Sequence, residues 1–200
     1  MRQALAGSAG IVRGYRKGIL MGSQRIGKYA CLEIERRYLL RELPADLIER
    51  DYSWHIVDRY ISNSRLRLRQ MTAPTNQMRV LKLSQKYREA FQDQTQTTIT
   101  NIYLDEAEYS CLYKLEAKEI VKKRYNYEHQ GRIYGLDVFE GPLEGLILAE
   151  VEGETAEELA LLPLPGFAIK EVTNDPFFTG GFLVTMTEQE FQKEFAQRLS

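Results

Sequence analysis

The sequence predicts an α+β fold that is mainly antiparallel β-sheet. Three observations point there: short segments with period-two alternation, turn-forming residues between them, and a few helix-start signals. ACLEIERRYLL, WHIVDRYIS, SRLRLRQ, MRVLKLSQKY and QTTITNIYL alternate their side chains over strand-like lengths. Pro44, Asn63, Pro74 and Asn76 fall between these segments, so hairpins are the natural connections. The second half repeats the style in EIVKKRYNYEH, RIYGLDVFEG and LEGLILAEVEGE, rich in β-branched and aromatic residues and punctuated by Gly131 and Gly141. Helices are expected after Asp105, Thr155 and Thr187, because each is followed three residues later by a glutamate that can complete a capping box.

Composition bounds the rest. A chain of 200 residues that is 44% hydrophobic is long enough for one substantial core and too short to favour two domains. Lys and Arg number 27 against 28 Asp and Glu, so no global charge excess favours nucleic acid or an anionic membrane surface. The longest apolar stretches, Gly145 to Ala149 and Leu159 to Leu164, fall far short of the roughly 20 residues a membrane span needs. Cys31 and Cys111 lie in no CxxC or Cys/His cluster and are expected to be small core residues. Residues 1–27 are basic, carry no acid and lack a long apolar segment. They read as a disordered extension, or as an upstream start with Met21 the true one, and a cytoplasmic location is the default. The expected organisation is that extension, a domain over residues 28–185, and a C-terminal helix over 186–200. Phe191 and Phe195, four apart, are expected to lay an apolar stripe on the outside of the sheet.

Four charge pairs stand one residue apart on predicted strands: Glu33/Glu35, Arg65/Arg67, Lys122/Arg124 and Glu150/Glu152. Alternation puts each pair on one face, while Ile34, Leu66 and Val151 take the other. Any single pair reads as the wetted side of an open sheet. Four pairs of opposite sign read differently, because a sheet that curls into a barrel can turn charge inward only if the charges compensate or bind a ligand. Such an interior suits a polyphosphate with a divalent ion: Arg offers a planar fork to phosphate, Lys a compact ammonium, and carboxylates are hard oxygen donors. The side chains of Glu33, Arg65, Arg124 and Glu150 are therefore expected to converge.

From about Cys31 to Val184 the chain resembles the CYTH superfamily, the triphosphate tunnel metalloenzymes, which includes thiamine triphosphatases, inorganic triphosphatases and class IV adenylate cyclases. Glu33-Ile34-Glu35-Arg36-Arg37 is similar to its ExExK signature. Matches follow in the family's order: Arg65 and Arg67, Lys82 in VLKLS, Lys122 and Arg124, Asp137 in GLDVFEG, Glu150 and Glu152 in GLILAEVE, and EVT at Glu171 to Thr173. The resemblance implies a closed eight-stranded β-tunnel with a few outer helices. It implies a phosphate clamp of Arg65, Arg67, Lys82, Lys122 and Arg124. Mg²⁺ or Mn²⁺ would sit on Glu33, Glu35, Glu150 and Glu152, with Glu33, Glu35 and Arg37 catalytic and Asp137 and Glu171 supporting.

The pattern departs in three places. Arg37 stands where the signature ends in Lys. Thr97 to Asn101 carries no charge where many members have RxExE. Thr179, Gly180 and Gly181 follow where the family has Asn after EVT. The expected activity is metal-dependent hydrolysis of a phosphoanhydride in inorganic or organic triphosphate. The alternatives are a non-catalytic triphosphate or polyphosphate binder, which the first two departures favour, and an adenylate cyclase. The partner expected is a small-molecule triphosphate, without nucleic acid or membrane, and the chain itself a monomer or homodimer.

Overall fold

A computed structural model describes residues 29–47, 53–75, 77–87 and 95–199. The reading of residues 1–27 as an extension lies outside the described residues. The elements, in chain order, are β1 (Cys31–Leu40), β2 (Ser53–Ile61), β3 (Leu66–Thr72), β4 (Arg79–Tyr87), β5 (Gln96–Tyr103), α1 (Glu106–Tyr113), β6 (Ala117–His129), β7 (Arg132–Phe139), β8 (Ile147–Glu152), α2 (Ala156–Ala160), β9 (Lys170–Glu171), α3 (Gly180–Leu183) and α4 (Glu188–Leu199). The strands pair in the order β5-β4-β3-β2-β6-β7-β8-β1, and β1 returns to β5 to close the ring. Every neighbour is antiparallel. The eight alternating segments of the sequence are the eight strands of this barrel.

β1 uses both of its edges unevenly. β8 runs along Glu35 to Leu40 on one side. On the other, β5 takes Cys31 to Ile34 and the two-residue β9 takes Tyr38 and Leu39. β6 and β7 are joined by Gln130-Gly131 at φ 50° and 74°, the left-handed pair that a tight two-residue hairpin requires. Asn63, between β2 and β3, is also left-handed at φ 56°. The three predicted helix starts form as read: Asp105 and Glu108 close a full capping box, Thr155 caps Glu158, and Thr187 and Glu190 exchange bonds at α4. α3 and β9 were not legible, because four and two residues are too short to show a period.

Three apolar clusters pack around the barrel. α1 covers Leu68 and Leu81 through Tyr109 and Leu112. α2 covers Tyr38, Leu136, Ala149 and Val151 through Leu159, with Ile34 at its margin, so Ile34 and Val151 do point away from the charged face. The third and largest cluster joins Leu39, Ile120, Phe139 and Leu148 to Phe177, Phe178, Leu183, Phe191 and Phe195. The four strand residues each lie two positions along from Arg37, Lys122, Asp137 and Glu150 respectively, and so on the inward face. α4 therefore packs on one end of the barrel, together with the segment before it, and not on its outer wall as its stripe suggests. Gly180 permits this approach: a Cβ there would stand 1.9 Å from the Tyr60 hydroxyl. Cys31 and Cys111 are exposed rather than core residues. Cys31 is at the start of β1, and Cys111 is on the open side of α1. Among the described residues no helix is long and apolar enough to cross a membrane.

Phe191 is fully buried and stacks on both Phe177 and Phe195. Phe191→Ala is expected to cost about 3 to 5 kcal/mol of stability in denaturant unfolding.

Candidate functional site

On β1, alternation aligns Glu33, Glu35 and Arg37 toward the interior. Glu35 is 6% exposed and Arg37 3%. Burial raises the Glu35 carboxyl above its ordinary range, and nearby Glu150 pushes it further the same way. Glu150, on β8, behaves oppositely. Burial works to raise it, but Arg124 and Lys122 outweigh that and hold it well below the carboxylate range. Glu33 forms an ion pair with Lys86 of β4. Glu152 is exposed and stands opposite Glu35 in the β1–β8 register.

β6, β7 and β8 contribute one connected network. Arg124 donates from Nε to Asp137 Oδ1 at 2.6 Å and from Nη2 to Asp137 Oδ2 at 2.5 Å, and Nη2 also reaches Glu150. Lys122 donates to the same Asp137, whose side chain is fully buried. Gly135 makes room for this: a Cβ there would come within 3.4 Å of Arg124 Nε. Burial depresses the Lys122 ammonium, and Asp137 opposes that depression. Asp137, expected only to support the site, is thus the acid that two of its cations share.

A second network joins β2, β3 and β4. Asp58 accepts from Arg69 Nε at 2.5 Å and Nη2 at 2.6 Å, and Arg67 Nε lies 3.5 Å away. Burial would raise Asp58, yet Arg69 and Arg67 hold it far below its usual value. Lys82, opposite Arg69 in the β3–β4 register, is lowered to about 8, first by burial and then by Arg69 and Arg67. Arg65 does not join them. It is exposed, precedes β3, and its guanidinium lies 5.2 Å from the Tyr87 ring centroid. Of the four residues expected to converge, Arg124 and Glu150 touch, Glu33 meets Lys86, and Arg65 stays outside. The sequence reading stopped one step short in SRLRLRQ, since Arg69 continues the same alternation. It also passed over Asp58, whose signal is a single acid in the apolar strand WHIVDRYIS, and Lys86, four residues beyond Lys82 on the same face.

Arg37 has a different role from the one its motif position implies. Its Nη1 donates to the Phe178 carbonyl at 2.8 Å and its Nη2 to the Thr173 carbonyl at 2.9 Å, while its backbone N–H donates to Thr173 Oγ1. Nε lies 3.9 Å from Glu35 and makes no hydrogen bond. Its fork therefore ties the C-terminal segment to β1 beside Glu35. Glu171, on the opposite face, receives Arg36 Nε at 3.0 Å and the Thr173 hydroxyl at 2.6 Å, which fastens β9 to β1. Among the described residues no three His, Cys, Asp or Glu side chains are grouped so as to hold a metal ion by themselves.

Asp58→Asn removes the charge that Arg67 and Arg69 share and is expected to cost about 3 kcal/mol or more. In the native chain the Asp58 pKa is depressed. Its contribution is complete above the unfolded value of about 4 and is lost as pH falls below it. Unfolding curves taken between neutral and acid pH should show a shallower acid loss in the variant.

No family model matches the chain. An inorganic triphosphatase of Acetivibrio thermocellus is 33% identical over 81 residues, which are 40% of this chain and 51% of that protein. The chain thus spans about half the length of the curated relative it matches. Two solved structures of NE1496 share the fold. One, described as a hypothetical protein, has a TM-score of 0.53 at 23% identity, covering 78% of this chain and 99% of that one. The other, described as an inorganic triphosphatase, has a TM-score of 0.52 at 23% identity over 77% and 95%. The closed barrel of eight antiparallel strands is the fold this chain shares with those structures, and here it carries an ExE motif on its first strand and charge networks turned inward.

Proposed function

We propose that the chain hydrolyses a phosphoanhydride bond of inorganic triphosphate, or of an organic triphosphate, held inside the barrel. The observation that carries this reading is the mismatch on each side of the interior. Arg67, Arg69 and Lys82 crowd one carboxylate, Asp58, and their mutual repulsion helps depress Lys82. Glu35 and Glu150 crowd each other, and the Glu35 carboxyl rises. An anion relieves the first group and a cation the second. A triphosphate with a divalent ion supplies both. The Acetivibrio thermocellus relative and NE1496 are both named inorganic triphosphatases, which agrees with this.

The residues present fit such an ion. Glu35 and Glu150 offer hard oxygen donors close enough to perturb one another, with Glu33 beside them on β1. Mg²⁺ is commonly held by one or two carboxylates together with phosphate oxygens rather than by a complete protein cage, so a site without three grouped acids suits it. Mg²⁺ or Mn²⁺ is the expected cofactor, and when bound it supplies polarisation of the phosphate oxygens and acidification of water. The chain's own groups do the rest. Arg67, Arg69, Lys82, Lys122 and Arg124 bind and orient the phosphates. Arg37 exchanges no proton, since guanidinium stays charged and both its terminal nitrogens are committed to carbonyls, so it positions Glu35. Inorganic triphosphate is the preferred substrate, because what lines the interior among the described residues is phosphate-binding charge.

A binding module without turnover is the second reading. It is favoured by the commitment of Arg37 to Thr173 and Phe178 and by the uncharged inward positions of β5. The test is phosphate release from inorganic triphosphate, ATP and thiamine triphosphate with Mg²⁺ or Mn²⁺. Metal-dependent release is expected, falling at least about a hundredfold in a Glu35→Gln, Glu150→Gln double variant. Tight binding with no release would replace the hydrolase by the binder.

A further inference from the structure

Between β4 and β1 the barrel wall is β5, and its inward residues are Thr97, Ile99 and Asn101. None carries charge. Thr97 stands opposite Glu33 and Ile99 opposite Lys86. Lys86 nevertheless reaches across this strand and pairs with Glu33. It lies two residues beyond Ser84 and four beyond Lys82, on the face that meets Arg67 and Arg69. Its charge also acts on Glu35 and Glu150, lowering both.

Lys86 differs from Arg37, Arg69, Lys122 and Arg124 in how it is held. Arg69 is fixed by two bonds to Asp58, Arg124 by bonds to Asp137 and Glu150, Arg37 by two carbonyls, and Lys122 is buried on Asp137. The Lys86 side chain is 36% exposed and its Glu33 partner 20%. An ammonium on a flexible stem with access to water can change partners at low cost, whereas a buried bidentate guanidinium cannot.

We infer that Lys86 is a phosphate-binding residue of the barrel, reaching over the uncharged β5 wall and exchanging its Glu33 carboxylate for a phosphate of the bound triphosphate. This rests on the triphosphate reading above. The exchange has two effects. The phosphate gains a charge-assisted donor on the side where β5 offers none. Glu33 loses its counter-ion at the same moment, so its carboxylate becomes available to a cation arriving with the substrate.

The test uses the full chain, titrated calorimetrically with inorganic tripolyphosphate and Mg²⁺ and assayed for phosphate release. Lys86→Met is expected to weaken tripolyphosphate binding about tenfold or more. Lys86→Arg should recover most of that loss. Adding Glu33→Gln to Lys86→Met should cost more than the sum of the two single changes, because each single change alone already removes the ion pair that binding has to break. If turnover is present, KM should rise more than kcat falls. Lys123→Met, on the outer face beside Glu140, is the control and should bind as the native chain does. Native binding with Lys86→Met within about twofold of it would overturn the assignment of Lys86 alone. A native chain that neither binds nor cleaves tripolyphosphate would overturn it together with the proposed function.

Discussion

The interior of this barrel is held by cross-strand pairing of opposite charges, and that constraint reaches into every other feature. Asp58 faces Arg69 across β2 and β3, Arg124 faces Asp137 across β6 and β7, and Arg124 also reaches Glu150 on β8. A buried charge without its partner costs several kcal/mol, so each of these acids must meet a base at one particular register. A slip of one residue would turn all three acids away from their bases and send Leu68 or Val151 inward. The apolar clusters under α1 and α2 enforce the same register from outside. Charge inside and hydrocarbon outside therefore specify one alignment twice.

That alignment sorts the charges by strand. The acids gather on β1, β7 and β8 and the cations on β3, β4 and β6, the exceptions being Asp58 on β2 and Arg37 on β1, while β5 contributes none. The two groups meet at Arg124, which bonds an acid of β7 and an acid of β8. An interior so divided is already shaped for a ligand with negative charge along one side and a cation along the other. The groups need little rearrangement to receive it, because their positions are fixed by strands rather than loops.

Most of the barrel was legible because strand alternation is a strong local signal, and eight segments displayed it over strand-like lengths. The capping boxes were legible for the same reason, being local. Closure was not, since no local pattern states that Cys31 will pair with Ile99. The site was legible as pairs of like charge one residue apart, and that filter explains its errors. It found Lys122 with Arg124 and Glu33 with Glu35, but it took the wrong pair from Arg65, Arg67 and Arg69, because the start of β3 sets which of them enter the barrel. It missed Asp58 and Lys86, which stand alone in sequence and acquire meaning only from a partner on another strand. Arg37 matched a motif position, and only the carbonyls of Thr173 and Phe178, some 140 residues away, show what its fork does.

The divided edge of β1 bears on how the chain reaches this state. β1 is the first of the described strands, yet its partners are β5, β8 and β9, and Tyr38 finds Glu171 across 133 positions. Strand pairs that distant form late, because the loop they close must be ordered before any bond rewards it. During synthesis β2, β3 and β4 can zip with their neighbours as they emerge, while β1 waits with its amides and carbonyls open for strands not yet made. The earliest described strand is thus the last to be satisfied, and a ribosome must deliver the chain through β8 before the ring can shut.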